Sequence, residues 1–447
     1  MDLPSYLRPI EQLLSSTSVT QNPTAQVIET TSSSTVEHKN IRFMLVSTHA
    51  QQYTGYSKIS YGILQELSKL PNLDLIHFGF QKHPQPAPDF RPYPPNVDVI
   101  DAAALEQPLQ QGFGYQGMME QVKKKNPHII MIYNDMAVVS RFLEEIRKTS
   151  IVPRPFKVWI YCDQVYECQH QGMIDILNRD CDRVFTFTPY WKKQLREQGV
   201  TRPVSVLGHG FDSKTFFTLP RDLARKSLKL PEDAFVIMSL NRNQPRKRYD
   251  IMLMAFVELL IKNPLKPIVL LCICDKGEKG GWWLFEIFVR ELKRKGASIE
   301  QFGNRLMISS QDMAFKDEDI NVLYNVADIG ISTADGEGWG LCTFEQMGVG
   351  IPQVVPDLGG YKEYCSKDNS MMVKPTHRYY LPSVYSIVGG EAQVCDPHDV
   401  CMAIEEYLND SNKIKAHGQK AKDTVLGYTW SNAVKELVKC IEQERDE

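Results

Sequence analysis

Glu337 and Glu345 bracket residues 336–345 (GEGWGLCTFE), where three glycines run into a helix-forming stretch. A buried-strand signal precedes them at 327–332 and another follows at 351–355. A strand, a glycine turn and a helix N-terminus leave free N–H groups and a positive dipole end, which suit an anion. A carboxylate does not belong on a phosphate, so the two acids fit neutral hydroxyls beside it. Phosphate next to hydroxyls describes a nucleotide-sugar. Compensation of the helix dipole, worth about 0.3–1 kcal/mol, would account for Glu345 but not for Glu337, which precedes the helix.

Arg242 and Lys247 lie five residues apart across a proline, directly after the strand signal 235–240. A departing diphosphate gains negative charge, so two fixed cations stabilise it most in the transition state. The run Arg246-Lys247-Arg248 could equally be a solvated basic loop. Its place at a strand's carboxyl end, in the same half as the glutamates, favours a ligand.

The elements that must hold these residues follow an αβ rhythm. Strand signals at 41–47, 75–78, 129–133, 158–161, 184–187 and 204–207 alternate with helices such as 118–125 and 191–198. After a polar pause the series restarts at 235–240, 268–274, 306–308, 328–331 and 353–355. Such alternation predicts an α/β fold of two Rossmann-like domains facing across a cleft, with the ligand beyond the strands' carboxyl ends. The expected division is a flexible polar tail (1–40), a first acceptor domain (41–212), a connector (213–232), a second donor domain (233–425) and a C-terminal helix returning to the first domain (426–447). No G-x-G-x-x-G follows a strand signal, which argues against a nicotinamide dehydrogenase.

A formal charge of -3 sets up no field that would recruit nucleic acid. The ten cysteines show no C-x-x-C spacing, and Cys272 and Cys274 read as small core residues. With no secretory signal, a reducing cytoplasmic setting is expected. No apolar run approaches the roughly 18–20 residues that span a bilayer; peripheral membrane contact stays open.

With these residues in place, the chain resembles the family 4 retaining glycosyltransferases of GT-B architecture over roughly 41–440. Arg242 and Lys247 match that family's arginine and lysine at the nucleotide diphosphate. Glu337 and Glu345 match its two glutamates, the first beside the donor sugar and the second on the ribose hydroxyls. Gly55, His209-Gly210-Phe211-Asp212, Asp357-Leu358-Gly359-Gly360 with Glu363, and Tyr428-Thr429-Trp430 are further matches. Residues 132–135 and 241–243 are similar in phrasing to glycosyltransferases encoded by large DNA viruses, which would place the protein in a host cytoplasm. Three departures stand out. Asp163 replaces the histidine often found after the fifth strand, and could orient a donor hydroxyl, orient an acceptor or cap a turn. The usual glycine turn is replaced at 274–277, and 374–394 is an insertion read as a surface loop.

The resemblance implies transfer of a sugar, with retention, from a nucleotide diphosphate donor to a hydroxyl on a glycan or lipid-linked acceptor. A GDP-sugar is slightly preferred over a UDP-sugar on the viral phrasing. Arg242, Lys247, Glu337 and Asp163 are the expected catalytic residues. Gly55, Gly338, Trp339, Gly340, Leu341, Cys342, Thr343 and Glu345 join the first three in donor binding. Asn134, Asp135 and Asp163 form the acceptor side. No metal or cofactor is expected: Asp180 and Asp182 read as a turn, and Asp317 with Asp319 as a helix cap. His209 reads as structural, Ser57 as an N-cap, and 282–285 as packing or domain-interface surface. The competing classes are a non-catalytic nucleotide-sugar-binding or scaffold relative and, with a poorer fit to the glutamate spacing, a sugar-nucleotide epimerase.

Overall fold

A computed structural model describes residues 40–149, 153–274, 280–309, 314–382 and 389–446. The polar tail expected over 1–40 lies outside these residues except for Asn40, and the turn at 274–277 does so except for Cys274.

Two parallel sheets form the framework. The first contains β1 (Ile41–Thr48), β2 (Leu73–Phe80), β3 (Val97–Asp101), β4 (Ile129–Asp135), β5 (Lys157–Asp163), β6 (Arg183–Thr186) and β7 (Val204–Val206), in the order β3-β2-β1-β4-β5-β6-β7. The second contains β8 (Phe235–Leu240), β9 (Ile268–Ile273), β10 (Leu306–Ile308), β11 (Ile329–Ile331), β12 (Gln353–Pro356) and β13 (Ser370–Val373), in the order β10-β9-β8-β11-β12-β13. Successive residues of β1 enter different cores: Phe43 and Leu45 one, Met44 and Val46 the other. A strand covered on both faces needs a continuous apolar run, which explains the unalternated pattern of 41–46. Strand order reverses at β1/β4 and at β8/β11, so each sheet opens a crevice at its carboxyl edge.

The two edges meet. The core built on Phe43 and Leu45 continues through Phe187, Trp191 and Leu207 into Trp339, Phe344 and Tyr361 of the second sheet's domain. After the second domain the chain turns back. Trp430 packs so tightly over Gly62 and Gly210 that a Cβ at either would collide with it. Beyond it, the helix Lys435–Asp446 reaches the first sheet through Glu436 to Ser205 Oγ (3.2 Å) and Glu444 to Lys157 (3.4 Å).

Three local readings need correction. The cap of the helix Gly55–Leu67 is Thr54, with Ser57 three residues in as its reciprocal partner, because both hydroxyls satisfy otherwise orphaned amides. Part of the insertion 374–394 is a hairpin, β14 (His377–Tyr380) with β15 (Glu391–Val394), rather than a free loop. It is tied to the first domain by Glu391 N–H to the Glu167 carbonyl (3.0 Å). Trp283 and Phe285 are exposed (61% and 56%) instead of packed; the neighbouring Trp282 indole donates to the Pro245 carbonyl (3.1 Å).

Candidate active site

Glu337 sits in the turn between β11 and the helix Leu341–Gly348, and the turn's shape is set by its glycines. Gly340 adopts φ +86°, a left-handed conformation, and a Cβ there would strike the Tyr361 ring. Two bonds fix the turn's backbone: the Trp191 indole donates to the Gly338 carbonyl (2.8 Å), and Gly360 N–H to the Glu337 carbonyl (2.9 Å).

The Glu337 side chain is buried and clamped by two cations, Arg246 at 3.1 Å and Lys247. Burial alone would raise this carboxyl, yet Arg246 first and Lys247 next hold it down at about 2. Arg246 also donates to the Gly336 carbonyl (3.1 Å), so it braces both the turn and the acid. Lys247 therefore lies in the cleft of the Glu337 turn and pairs with its acid, a contact the sequence did not predict. Arg242 does not: it is exposed, and the second cation on Glu337 is Arg246. The single 3-10 turn Pro245–Lys247 accounts for this, since it puts two adjacent basic residues beside one carboxylate.

Asp163, at the end of β5, faces this cluster from the first domain. Tyr56, in the first turn of the Gly55 helix, donates to it at 2.6 Å. Burial pushes the Asp163 carboxyl up to about 6, with Tyr56 and Arg246 pulling the other way. Gly338 allows the approach, because any Cβ there would collide with the Asp163 carboxylate. Gly55 lies against Leu341 across the same junction.

The remaining predicted residues divide. Asn134 is buried, with its amide toward Thr48 Oγ1 (3.4 Å). Asp135, expected on the acceptor side, instead caps the helix Met136–Lys148 through Val138 N–H (3.0 Å), so its carboxylate is engaged locally. The Trp339 indole is a core group packed on His209 (4.7 Å), Phe344 (5.2 Å) and Tyr364 (5.5 Å), which leaves only the backbone of this residue for the donor contact expected of it. Thr343 is buried, while Leu341 and Cys342 are half-buried at the helix start. His209 is enclosed by rings and burial lowers its pKa to about 3, so it is neutral, in keeping with a structural role.

Glu345 is buried and accepts from Lys58 of the first domain through both oxygens (2.8 and 2.9 Å) and from Tyr324 (2.8 Å). Asp317, read from sequence as a cap, is instead an inter-domain ion-pair partner. Arg91 binds it with two parallel bonds (2.7 and 2.8 Å), and Lys58 lies 3.4 Å away. These groups border a cavity of about 400 Å³ between the domains, which Tyr61, Phe90 and Leu341 also line. Asp180 and Asp182 are paired with Arg179 (2.7 Å) and Arg154 (3.2 Å). Among the described residues, no group of three or more His, Cys, Asp or Glu side chains is arranged to hold a metal.

Tyr56, Lys58, Arg91, Arg246 and Asp317 were not singled out as site residues. Tyr56 and Lys58 follow Gly55 by one and three positions, which was a usable signal, and Arg246 stood inside the named basic run. Arg91, in a proline-rich loop, carried none.

Residues 220–378 match the family Glycosyl transferases group 1. Over 231 residues the chain is 25% identical to D-inositol 3-phosphate glycosyltransferase 2 of Catenulispora acidiphila, covering 51% of this chain and 48% of that protein. Mannosylfructose-phosphate synthase of Agrobacterium fabrum is 25% identical over 248 residues, covering 51% and 53%. The chain thus spans about half the length of the curated relatives it matches. Both of these relatives are bacterial, and neither supports the viral phrasing. Among solved structures, sucrose-phosphate synthase from Thermosynechococcus elongatus superposes with a TM-score of 0.67 at 16% identity, over 90% of this chain and 99% of that one. The Anabaena protein HepE in complex with UDP and glucose gives 0.66 at 14% identity, over 90% and 100%. At these identities the likeness establishes the fold: two parallel-sheet α/β domains of GT-B type.

Proposed function

We propose, from a second domain that carries a Glycosyl transferases group 1 segment, that this protein is a retaining glycosyltransferase using a nucleotide diphosphate sugar. One observation carries the reading. Glu337 is held ionised by Arg246 and Lys247 at the carboxyl edge of one sheet, directly opposite Asp163 at the carboxyl edge of the other. A leaving diphosphate beside Lys247, with Arg242 free to approach from the exposed end of β8, would find its growing charge matched in a site from which water is excluded. Glu337 would accept hydroxyls of the transferred sugar and Glu345 those of the ribose. Asp163, oriented by Tyr56, would meet a donor or acceptor hydroxyl from the first domain. The departing phosphate would take the acceptor proton, with no protein nucleophile and no metal. The acceptor is a glycan or lipid hydroxyl; the GDP preference rested on the viral phrasing, so GDP-sugars and UDP-sugars enter the donor series on equal footing.

The test is a thermal-shift titration with GDP, UDP and ADP, with and without magnesium. A ligand bound only by the folded state adds about 2.7 kcal/mol at 100 times its Kd. One nucleotide should raise Tm without magnesium, and its sugar conjugates should then be hydrolysed slowly in the absence of acceptor. No shift with any nucleotide removes the donor site and leaves a scaffold with this fold.

A further inference from the structure

We propose that Lys58 is a built-in competitor for Glu345: it occupies the carboxylate that the donor's ribose diol requires, and a nucleotide must displace it to bind. This rests on the reading of Glu345 as the ribose-binding acid and adds to it a residue that sets donor affinity.

The count of acceptor positions makes the conflict concrete. An ionised carboxylate offers about four lone-pair sites on its two oxygens. Lys58 takes one on each oxygen, and Tyr324 takes a further one on Oε2. A vicinal diol donates two bonds, which is more than remains. Tyr324 belongs to the same domain as Glu345 and is fully buried, so it stays with the acid. Lys58 comes from the other domain, on the first turn of the Gly55 helix, and is the partner that can leave.

It has somewhere to go. Asp317 Oδ1 lies 3.4 Å from the Lys58 ammonium, and the Phe216 ring stands 4.5 Å beneath it. Lys58 can therefore pass from Glu345 to Asp317 along the wall of the same cavity without entering bulk water. Burial disfavours its charge, but Glu345 and Asp317 outweigh that and hold the ammonium above its ordinary range, so a cation and not a neutral amine is exchanged. Arg91 cannot perform the exchange. Its other edge is held by the Ala50 and Gln52 carbonyls (both 3.2 Å) and Ser57 Oγ (2.7 Å), which fixes it as the permanent partner of Asp317. The diol's bonds to the carboxylate are charge-assisted on the acceptor side only, whereas the ammonium's carry charge on both partners, so the displacement gives up an ion pair and weakens donor binding.

The decisive variant is Lys58→Met, with affinity for GDP and UDP measured by calorimetry in both proteins. A competitor predicts tighter binding in the variant, by about tenfold or more, as one charged hydrogen bond no longer opposes the diol. A simple inter-domain clamp, or a cation that contacts the ligand, predicts equal or weaker binding, and that result overturns the proposal alone. Binding by neither protein overturns both this proposal and the donor site it rests on. Lysine acylation of the wild-type protein, mapped by mass spectrometry, gives a second test that needs no folded variant. Lys58 should label faster with nucleotide bound, and unchanged or slower labelling overturns the exchange.

Discussion

Lys247 carries the clearest consequence at the level of single residues, because it is the buried cation that both holds Glu337 and faces the proposed leaving group. Lys247→Ala should lower turnover roughly 10²–10³-fold, the usual loss for one oxyanion-type donor; unchanged turnover would remove its role. Asp163 predicts a pH effect instead. Its ordinary pKa of 3.8 is pushed to about 6 in the fold, so the folded state holds the proton more tightly than the unfolded chain. The resulting stability is present below about pH 4 and is lost as pH rises through about 6. Asp163→Asn should therefore gain on the wild type across that window, by on the order of 3 kcal/mol, read as a difference in Tm that widens from pH 4 to pH 7. A difference that does not change with pH would show that the carboxyl is not buried as described. Both residues were legible in the sequence because their chemistry is local: a base after a strand, an acid where a strand ends. Arg246 was overlooked for the complementary reason. Spacing along the chain does not reveal which of several adjacent basic side chains a tight turn will aim inward.

At the scale of elements, the glycine turn is the part that joins the two halves. Gly338 meets Asp163 where no side chain fits, with Gln164 O and Phe187 each 3.1 Å from where a Cβ would sit. Gly338→Ala should cost about 1–3 kcal/mol, as overpacking does, and should abolish turnover by backing the turn away from the first domain. The urea midpoint and the rate check it together; if neither moves, the turn and Asp163 are apart in solution. The long buried strands were legible here because apolar runs of that length between turn signals have few alternatives. β3 and the β14–β15 hairpin were not. β3 is only partly buried and reads val-asp-val-ile-asp, and all four β14 residues are exposed, so pairing rather than apolar content makes them strands. Asp135 and Asp317 show the same limit in reverse. Asp135, read as an acceptor-side acid, caps its helix, whereas Asp317, read as a cap, binds the other domain.

For the molecule as a whole, one apolar core runs from β1 through the junction into the helix Leu341–Gly348, while ionic groups line the opening beside it. The domains are thus joined by apolar packing on one side and by the pairs Lys58–Glu345 and Arg91–Asp317 on the other, and salt weakens the ionic side more than the apolar one. The two-domain fold was legible from αβ alternation, whereas the partners across the cavity belong to distant parts of the chain and only folding brings them together. The chain's return over Gly62 and Gly210 through Trp430 adds a topological consequence. The polypeptide passes between the domains twice, so a single break in the connector cannot yield two independent pieces. The downstream piece would keep the last helix, with Leu437, Cys440 and Ile441 stripped of the surface that buries them, and the upstream piece would lose its cover. Each half therefore carries part of the other, and neither can be cut out or transplanted with its apolar surface still covered.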